Sequence, residues 1–243
     1  MRIPGPLEQA EFLERPNRFL VLARLSDGRT ARVHCPDPGR LQELLRPNAA
    51  LYVSPAKSPG RSTTHDLRLV RHPENGVLVS VDSRLPNKLF AEAASAGALA
   101  PFPPPVSLQA EVPLPHSGGR IRSRADFVLT DGSGTRWWIE VKSVTLVVDG
   151  VGYFPDAVTE RGRRHVLELA ELAKRGERAA VCFIVQRPDA RMVRPEWGGD
   201  PAFAQALLQA SRAGVRLYAW TARVTLSEIA LQCVVPVDPY PAG

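Results

Sequence analysis

The sequence predicts two domains: a small N-terminal β-barrel over residues 1–83 and an α/β domain with a mixed central sheet over residues 84–243. Two observations carry this division. Most of the first 83 residues read as short strands, punctuated by Asp27-Gly28 and Asn75-Gly76, dipeptides that favour tight hairpins. From Leu89 onward the pattern changes to helix, three strands, helix, strand, an order that builds a sheet covered by helices.

Each element has a local reason. In the strand from Arg18 to Leu25, Phe19, Val21, Ala23 and Leu25 alternate onto one face. Asp27-Gly28 turns the chain into Arg29–Cys35, and Gly39–Leu45 is expected as a short helix. Ala50–Ser54 and Leu67–Arg71 are further strands, and Asn75-Gly76 leads into Val77–Val81. About five short strands in such a span suggest a small barrel. Beyond it, Leu89–Ala98 reads as a helix, and the proline-rich PFPPPVS at 101–107 punctuates the chain. Val106–Val112, Ile121–Leu129 and Arg136–Lys142 read as strands, the last two joined by Asp131-Gly132-Ser133-Gly134. A loop of sequence VTLVVDGVGYFPDAVTE leads to an amphipathic helix over Arg161–Lys174 that stops at Gly176. Ala179–Val185 is an apolar strand of the kind buried inside a sheet, expected parallel to the strand before the helix. Ala202–Ala213 is a helix and Val215–Trp220 a late strand.

Composition narrows the function. Lys and Arg number 31 against 25 Asp and Glu, a formal charge of +6. A basic surplus suits a polyanion partner, because cationic side chains release counterions from a phosphate backbone. Cys35, Cys182 and Cys233 are odd in number and widely spaced, which argues against a disulfide framework or a zinc site and for a reducing, cytoplasmic setting. No stretch approaches the roughly 18 apolar residues of a membrane helix, and the opening MRIPGPLEQAEFLERP lacks the apolar core of a signal peptide, so no membrane partner is expected.

The chemistry concentrates in SRADFVLTDGSGTRWWIEVKS. Asp126 lies in one strand; Glu140 and Lys142 lie in the next and, two residues apart, share a face. A hairpin at residues 131–134 brings Asp126 near them. A Glu and a Lys inside an apolar strand are costly to bury unless paired or bound to metal. A salt bridge would satisfy them. So would a hydrolytic nuclease centre, in which two carboxylates hold Mg²⁺ or Mn²⁺ and a lysine stabilises charge on the phosphoryl oxygens.

The D…ExK pattern in this element order resembles the PD-(D/E)XK, restriction-endonuclease-like superfamily. The strings RFLVLARL, VHCPDPGRL, LPNKLF, SRADFVL, IEVKSVTL, FPDAVTERGRRHVLEL and QRPDA, spread over nearly the whole chain, resemble more closely the sugar fermentation stimulation protein A family. That resemblance implies an OB-like N-terminal domain, a nuclease-like C-terminal domain, DNA as partner and a role in regulating sugar utilisation. It makes Asp126 and Glu140 metal ligands and Lys142 the catalytic lysine. Glu111 on the first core strand, or Glu92 on the helix, is expected to add a carboxylate, with Glu111 preferred. The chain departs from the family where Asp37-Pro38-Gly39 replaces Asn-Thr-Gly and Arg61-Ser62 replaces Arg-Lys.

Further residues are expected to bind substrate. Arg122 and Arg124 alternate along the strand of Asp126, where they would flank a phosphate track. Arg161, Arg164 and His165 open the second helix, whose N-terminus attracts phosphate. Asp156 precedes them and either caps the helix or orients the loop. His34 and Arg40 flank the loop of the first domain. Trp137 and Trp138 are read as sheet packing. A non-cleaving DNA-binding regulator is the competing function, and homodimerisation is left open.

Overall fold

The computed structural model describes residues 1–58, 60–115 and 123–241. Its N-terminal part is built from β1 (Glu8–Asn17), β2 (Leu20–Leu25), β3 (Thr30–His34), β4 (Ala50–Pro55), β5 (His65–Arg71) and β6 (Leu78–Ser80). β1 pairs with both β2 and β4, and β3 meets β5 in parallel, so five strands close in the order β1-β2-β3-β5-β4. Closure is how small barrels dispose of sheet edges that would otherwise pair with other chains. Val21, Ala23, Leu25, Val33, Leu51 and Val53 point into the barrel, as alternation requires. Both hairpin signals fall at turns: Gly28 has φ +86°, a region that favours glycine, and Asn75-Gly76 joins β5 to β6.

Three details differ from the expectation. Phe19 precedes β2 and is 48% exposed instead of sharing the buried face of Val21. Residues 39–45 form turns, not a helix; Leu41 sits at φ 51°, which an α-helix does not accommodate. Strand β1 carries no strong pattern, because only Ala10 and Phe12 face the core while its glutamates stay outside.

The C-terminal part comprises α1 (Leu85–Ser95), β7 (Pro105–Pro113), β8 (Arg124–Asp131), β9 (Arg136–Val144), β10 (Val147–Val148), β11 (Val151–Phe154), α2 (Glu160–Lys174), β12 (Arg178–Val185), β13 (Met192–Pro195), α3 (Pro201–Arg212), β14 (Arg216–Val224) and β15 (Ile229–Val235). Its main sheet runs β15-β14-β12-β9-β8-β7, parallel at β9, β12 and β14 and antiparallel outside them. The expected parallel pairing across the second helix is therefore present. α1 covers one face through Leu85, Leu89 and Phe90, packed on Phe127, Ile139 and Val141. α2 and α3 cover the other through Val166, Leu169, Phe203 and Leu207, packed on Val181 and Phe183. Both tryptophans pack: Trp137 meets Phe102 edge-on, and buried Trp138 donates its indole N–H to Glu177. The segment expected as a loop before α2 holds β10 and β11, which join β13 in a small sheet. No helix among the described residues is long and apolar enough to cross a membrane, and all three cysteines are free.

Polar contacts join the two parts. Asp156 Oδ2 accepts the Leu41 N–H at 2.7 Å, and Asn75 Nδ2 donates to Asp189 Oδ2. Asp156 thus orients the loop; the cap of α2 is Thr159, whose Oγ1 accepts from Gly162. Asp37 turns inward, 7% exposed, and its Oδ1 accepts the Gly39 N–H at 2.7 Å. A Cβ on residue 39 would stand 2.7 Å from Asp156 Oδ2 and 2.9 Å from Asp37 Oδ1, so a larger residue there must displace these carboxylates. The Asp37-Pro38-Gly39 segment thus sits in the seam between domains.

Glu43 shares this seam. Its Oε1 is buried without a hydrogen-bond partner. Burial, reinforced by the charge of Asp156, pushes its carboxyl up to about 7 from an ordinary 4.5, and Arg187 offsets this only in part. A group raised on folding contributes its stability below the unfolded value, near pH 4.5, and loses it as pH rises through about 7. Glu43→Gln is therefore expected to stabilise the fold at pH 8 by about 1–2 kcal/mol and to change it little at pH 5. Thermal unfolding at the two pH values checks this; an equal effect at both would contradict the assignment.

Candidate active site

The β8–β9 hairpin pairs backbone to backbone from Thr130↔Arg136 to Phe127↔Ile139. Continuing that register sets Asp126 opposite Glu140. Here the ladder changes character: the Val141 N–H donates to the Asp126 side chain, Oδ2, at 2.7 Å. Asn87, on the first turn of α1, donates Nδ2 to Asp126 Oδ1 at 3.0 Å. Both carboxylate oxygens are thereby held, one by the next strand and one by the helix beneath the sheet.

Glu140 is 4% exposed. Its Oε1 accepts Lys142 Nζ at 2.5 Å and meets His165 Nδ1 of α2 at 2.7 Å. The parallel neighbours of Glu140 and Lys142 are Val181 and Phe183 of β12, which shield the pair from solvent along one side.

These environments separate the two carboxyls. Burial, then the nearby negative charge of Glu140, pushes Asp126 up to about 6. Burial also penalises the Glu140 carboxylate, but the His165 contact and the Lys142 charge more than offset it and hold its pKa below the ordinary value. Above pH 6 two carboxylates are ionised side by side, with Lys142 as the adjacent fixed cation. That excess of negative charge suits a divalent cation.

Other expected residues fall in several places. Arg124 is exposed at the start of β8, two residues before Asp126 and on the same strand face. Arg161 is exposed one turn before His165 on α2. Arg164, one residue from His165 and so about 100° around the helix, lines a separate groove with Glu168, Glu171 and Gln209, and the structure does not bring it to the carboxylates. Arg122 lies outside the described residues. The β7 register sets Glu111 across from Asp126, between Ala110↔Phe127 and Val112↔Ala125, but it is exposed, with φ 54°. Glu92 pairs with the Met1 ammonium at 3.2 Å. Among the described residues no three His, Cys, Asp or Glu side chains gather closely enough to hold a metal, so a third protein ligand is not assembled there. His34 stacks on Phe19 in the barrel, whereas Arg40 lies at the domain seam beside Asp156. Sequence reasoning does not single out Asn87; its one signal is that it is one of two polar residues in LPNKLF, at the start of α1.

Comparison with known proteins shows the family. The model described as the sugar fermentation stimulation protein RE domain matches residues 84–228, and the one described as the SfsA N-terminal OB domain matches residues 13–81. The chain belongs to the sugar fermentation stimulation protein family. Relatives in this family include the sugar fermentation stimulation protein homologs of Moorella thermoacetica, 43% identical over 98% of both chains, and of Chloroflexus aurantiacus, 43% identical over 98% of this chain and 89% of the relative. Among solved structures, SfsA of Pyrococcus furiosus in complex with Ca²⁺ superposes with a TM-score of 0.82 at 30% identity, covering 97% of each chain. The OB domain and mixed-sheet domain of the family are those of this chain.

Proposed function

We propose that this member of the family binds DNA and hydrolyses its phosphodiester bonds at a Mg²⁺- or Mn²⁺-dependent centre formed by Asp126, Glu140 and Lys142, a PD-(D/E)XK-type nuclease. The observation that carries the reading is the opening of the β8–β9 ladder at Asp126, which sets two carboxylates and a lysine together at the end of a hairpin. Two carboxylates fit Mg²⁺, which commonly takes one or two from the protein and completes its shell with water and substrate phosphate. The P. furiosus relative was solved with Ca²⁺, another cation that prefers oxygen ligands, which supports this choice. When bound, such an ion acidifies a water and draws charge from the phosphoryl group.

The chain's own residues have distinct tasks in this scheme. Asn87 and the Val141 N–H fix the direction of Asp126. His165 holds Glu140 from the helix side. Lys142 places a positive charge where negative charge develops on the phosphoryl oxygens. Arg124 and Arg161, both exposed, supply phosphate contacts on either flank.

One observation favours the alternative of a DNA-binding regulator that does not cut: Glu140 already has two partners, and among the described residues no third ligand joins it and Asp126. Incubation with labelled single- and double-stranded DNA in Mg²⁺, in Mn²⁺ and in EDTA separates the two. Cleavage in metal that stops in EDTA supports the enzyme; binding without cleavage in any metal leaves the regulator. In either case affinity should fall with rising salt, linearly on a log–log plot, with a slope set by the number of phosphates contacted. Affinity that stays flat across the salt titration would contradict both.

A further inference from the structure

The barrel carries a groove, lined by none of the active-site carboxylates, with its own chemistry. Phe19 and His34 stand side by side at its wall, ring centroids 6.5 Å apart and planes inclined by 24°. Phe19 is half-exposed and packs into none of the three buried clusters. Around the pair the groove opens to a volume of about 590 Å³. Its cationic lining consists of Arg32, Lys57, Arg61, Arg68 and Arg84, against one carboxylate among the described residues, Asp66. Arg61 and Arg68 are paired with Asp66 and Arg84 with Asp82, which among the described residues leaves Arg32 and Lys57 as the lining cations without a carboxylate partner.

We propose that this groove binds single-stranded DNA, with an unpaired base stacked on the Phe19–His34 pair and the flanking phosphates on Arg32 and Lys57. An aromatic face beside a basic track reads bases by their π-surfaces, which a duplex hides within its stack. The location agrees, since Phe19 enters β2 and His34 ends β3, the strand pair on which barrels of this kind lay oligonucleotides. The groove abuts the start of α1, the helix that supports the active site. Arg84, held by both oxygens of Asp82, forms its far wall and precedes α1, and three residues on Asn87 holds Asp126. The inference rests on the DNA reading above but not on cleavage, and it names the substrate as single-stranded.

The test is fluorescence anisotropy in EDTA, where no cleavage occurs. The probes are labelled oligo-dT of about 12 nucleotides, a duplex of the same length and oligo-rU, the length taken from the usual OB-fold site size. Wild type is expected to bind oligo-dT more tightly than the duplex. Phe19→Ala should weaken oligo-dT binding roughly 5- to 100-fold, the scale of one lost base stack, and leave duplex binding unchanged. Phe19→Trp should restore it, which a merely structural role would not allow. Tighter binding of the duplex or of oligo-rU, or oligo-dT binding unaltered in Phe19→Ala, would overturn the proposal. Cleavage by the full-length protein with metal is read separately, so a nuclease whose single-strand binding ignores Phe19 refutes only this inference.

Discussion

Asp126→Asn and Glu140→Gln are each expected to abolish metal-dependent cleavage while DNA affinity in EDTA stays the same or rises slightly. The reason is electrostatic. Each carboxylate supplies half of the negative charge that draws a divalent ion to the hairpin, and an amide oxygen is a much weaker ligand for Mg²⁺. DNA affinity rests on Arg and Lys, so removal of a negative charge does not weaken it. The two variants should differ in stability. In Asp126→Asn the new amide oxygen still accepts the Val141 N–H, whereas Glu140→Gln leaves Lys142, 11% exposed, without a carboxylate partner. Glu140→Gln should therefore be the less stable of the two. Lys142→Ala should behave differently again. The carboxylates remain, so metal binding should survive, while turnover falls by about two orders of magnitude or more, the usual scale for one electrostatic stabiliser. Gel assays at saturating metal resolve these cases; equal cleavage by wild type and all three variants would place the activity elsewhere.

Arg187→Met is expected to be the most damaging single change for stability. Arg187 is 1% exposed, and its guanidinium forks onto Asp189 with two bonds of 2.7 Å. Asp189 in turn accepts Asn75 from the barrel hairpin, so the pair ties the C-terminal sheet to the N-terminal domain. Breaking one side of a fully buried pair typically costs about 3–5 kcal/mol; here the stranded Asp189 is 25% exposed, which places the cost toward the lower end, about 3 kcal/mol. For a chain of this size each kcal/mol shifts the midpoint by about 2–4 °C, so thermal unfolding should drop by roughly 10 °C. A companion Asp189→Asn removes the stranded charge and keeps an oxygen for Asn75. The double variant should recover part of the loss; a double variant less stable than Arg187→Met would contradict this assignment.

Legibility in the sequence follows the strength of local patterns. The β8–β9 hairpin is readable because its apolar alternation and its Asp-Gly-Ser-Gly turn agree, and that agreement alone is enough to bring Asp126, Glu140 and Lys142 together. The barrel is readable from its two hairpins, but β1 is not, since two core-facing side chains in ten residues leave too weak a period. Residues 39–45 read as a helix because Leu41, Leu44 and Leu45 have helical spacing; what decides their conformation is Asp156, 115 residues away, accepting the Leu41 N–H. Adjacency groups Arg164 with His165, although neighbours on a helix diverge by about 100°. Asn87 is legible only in three dimensions, because its role depends on α1 crossing beneath β8. Glu111 shows the opposite failure: its register is right, and the backbone turns it aside.

That Asp126 and Glu140 together hold a divalent cation is tested most directly by calorimetric titration of Mn²⁺ and Mg²⁺ into wild type and into Asp126→Asn above pH 7. At that pH Asp126, with its pKa pushed up to about 6, is ionised in the wild type. The expected result is saturable binding of one metal equivalent to the wild type, weakening as pH falls through about 6, and loss of that binding in the variant. Binding that is absent from the wild type, or undiminished in Asp126→Asn, would contradict it.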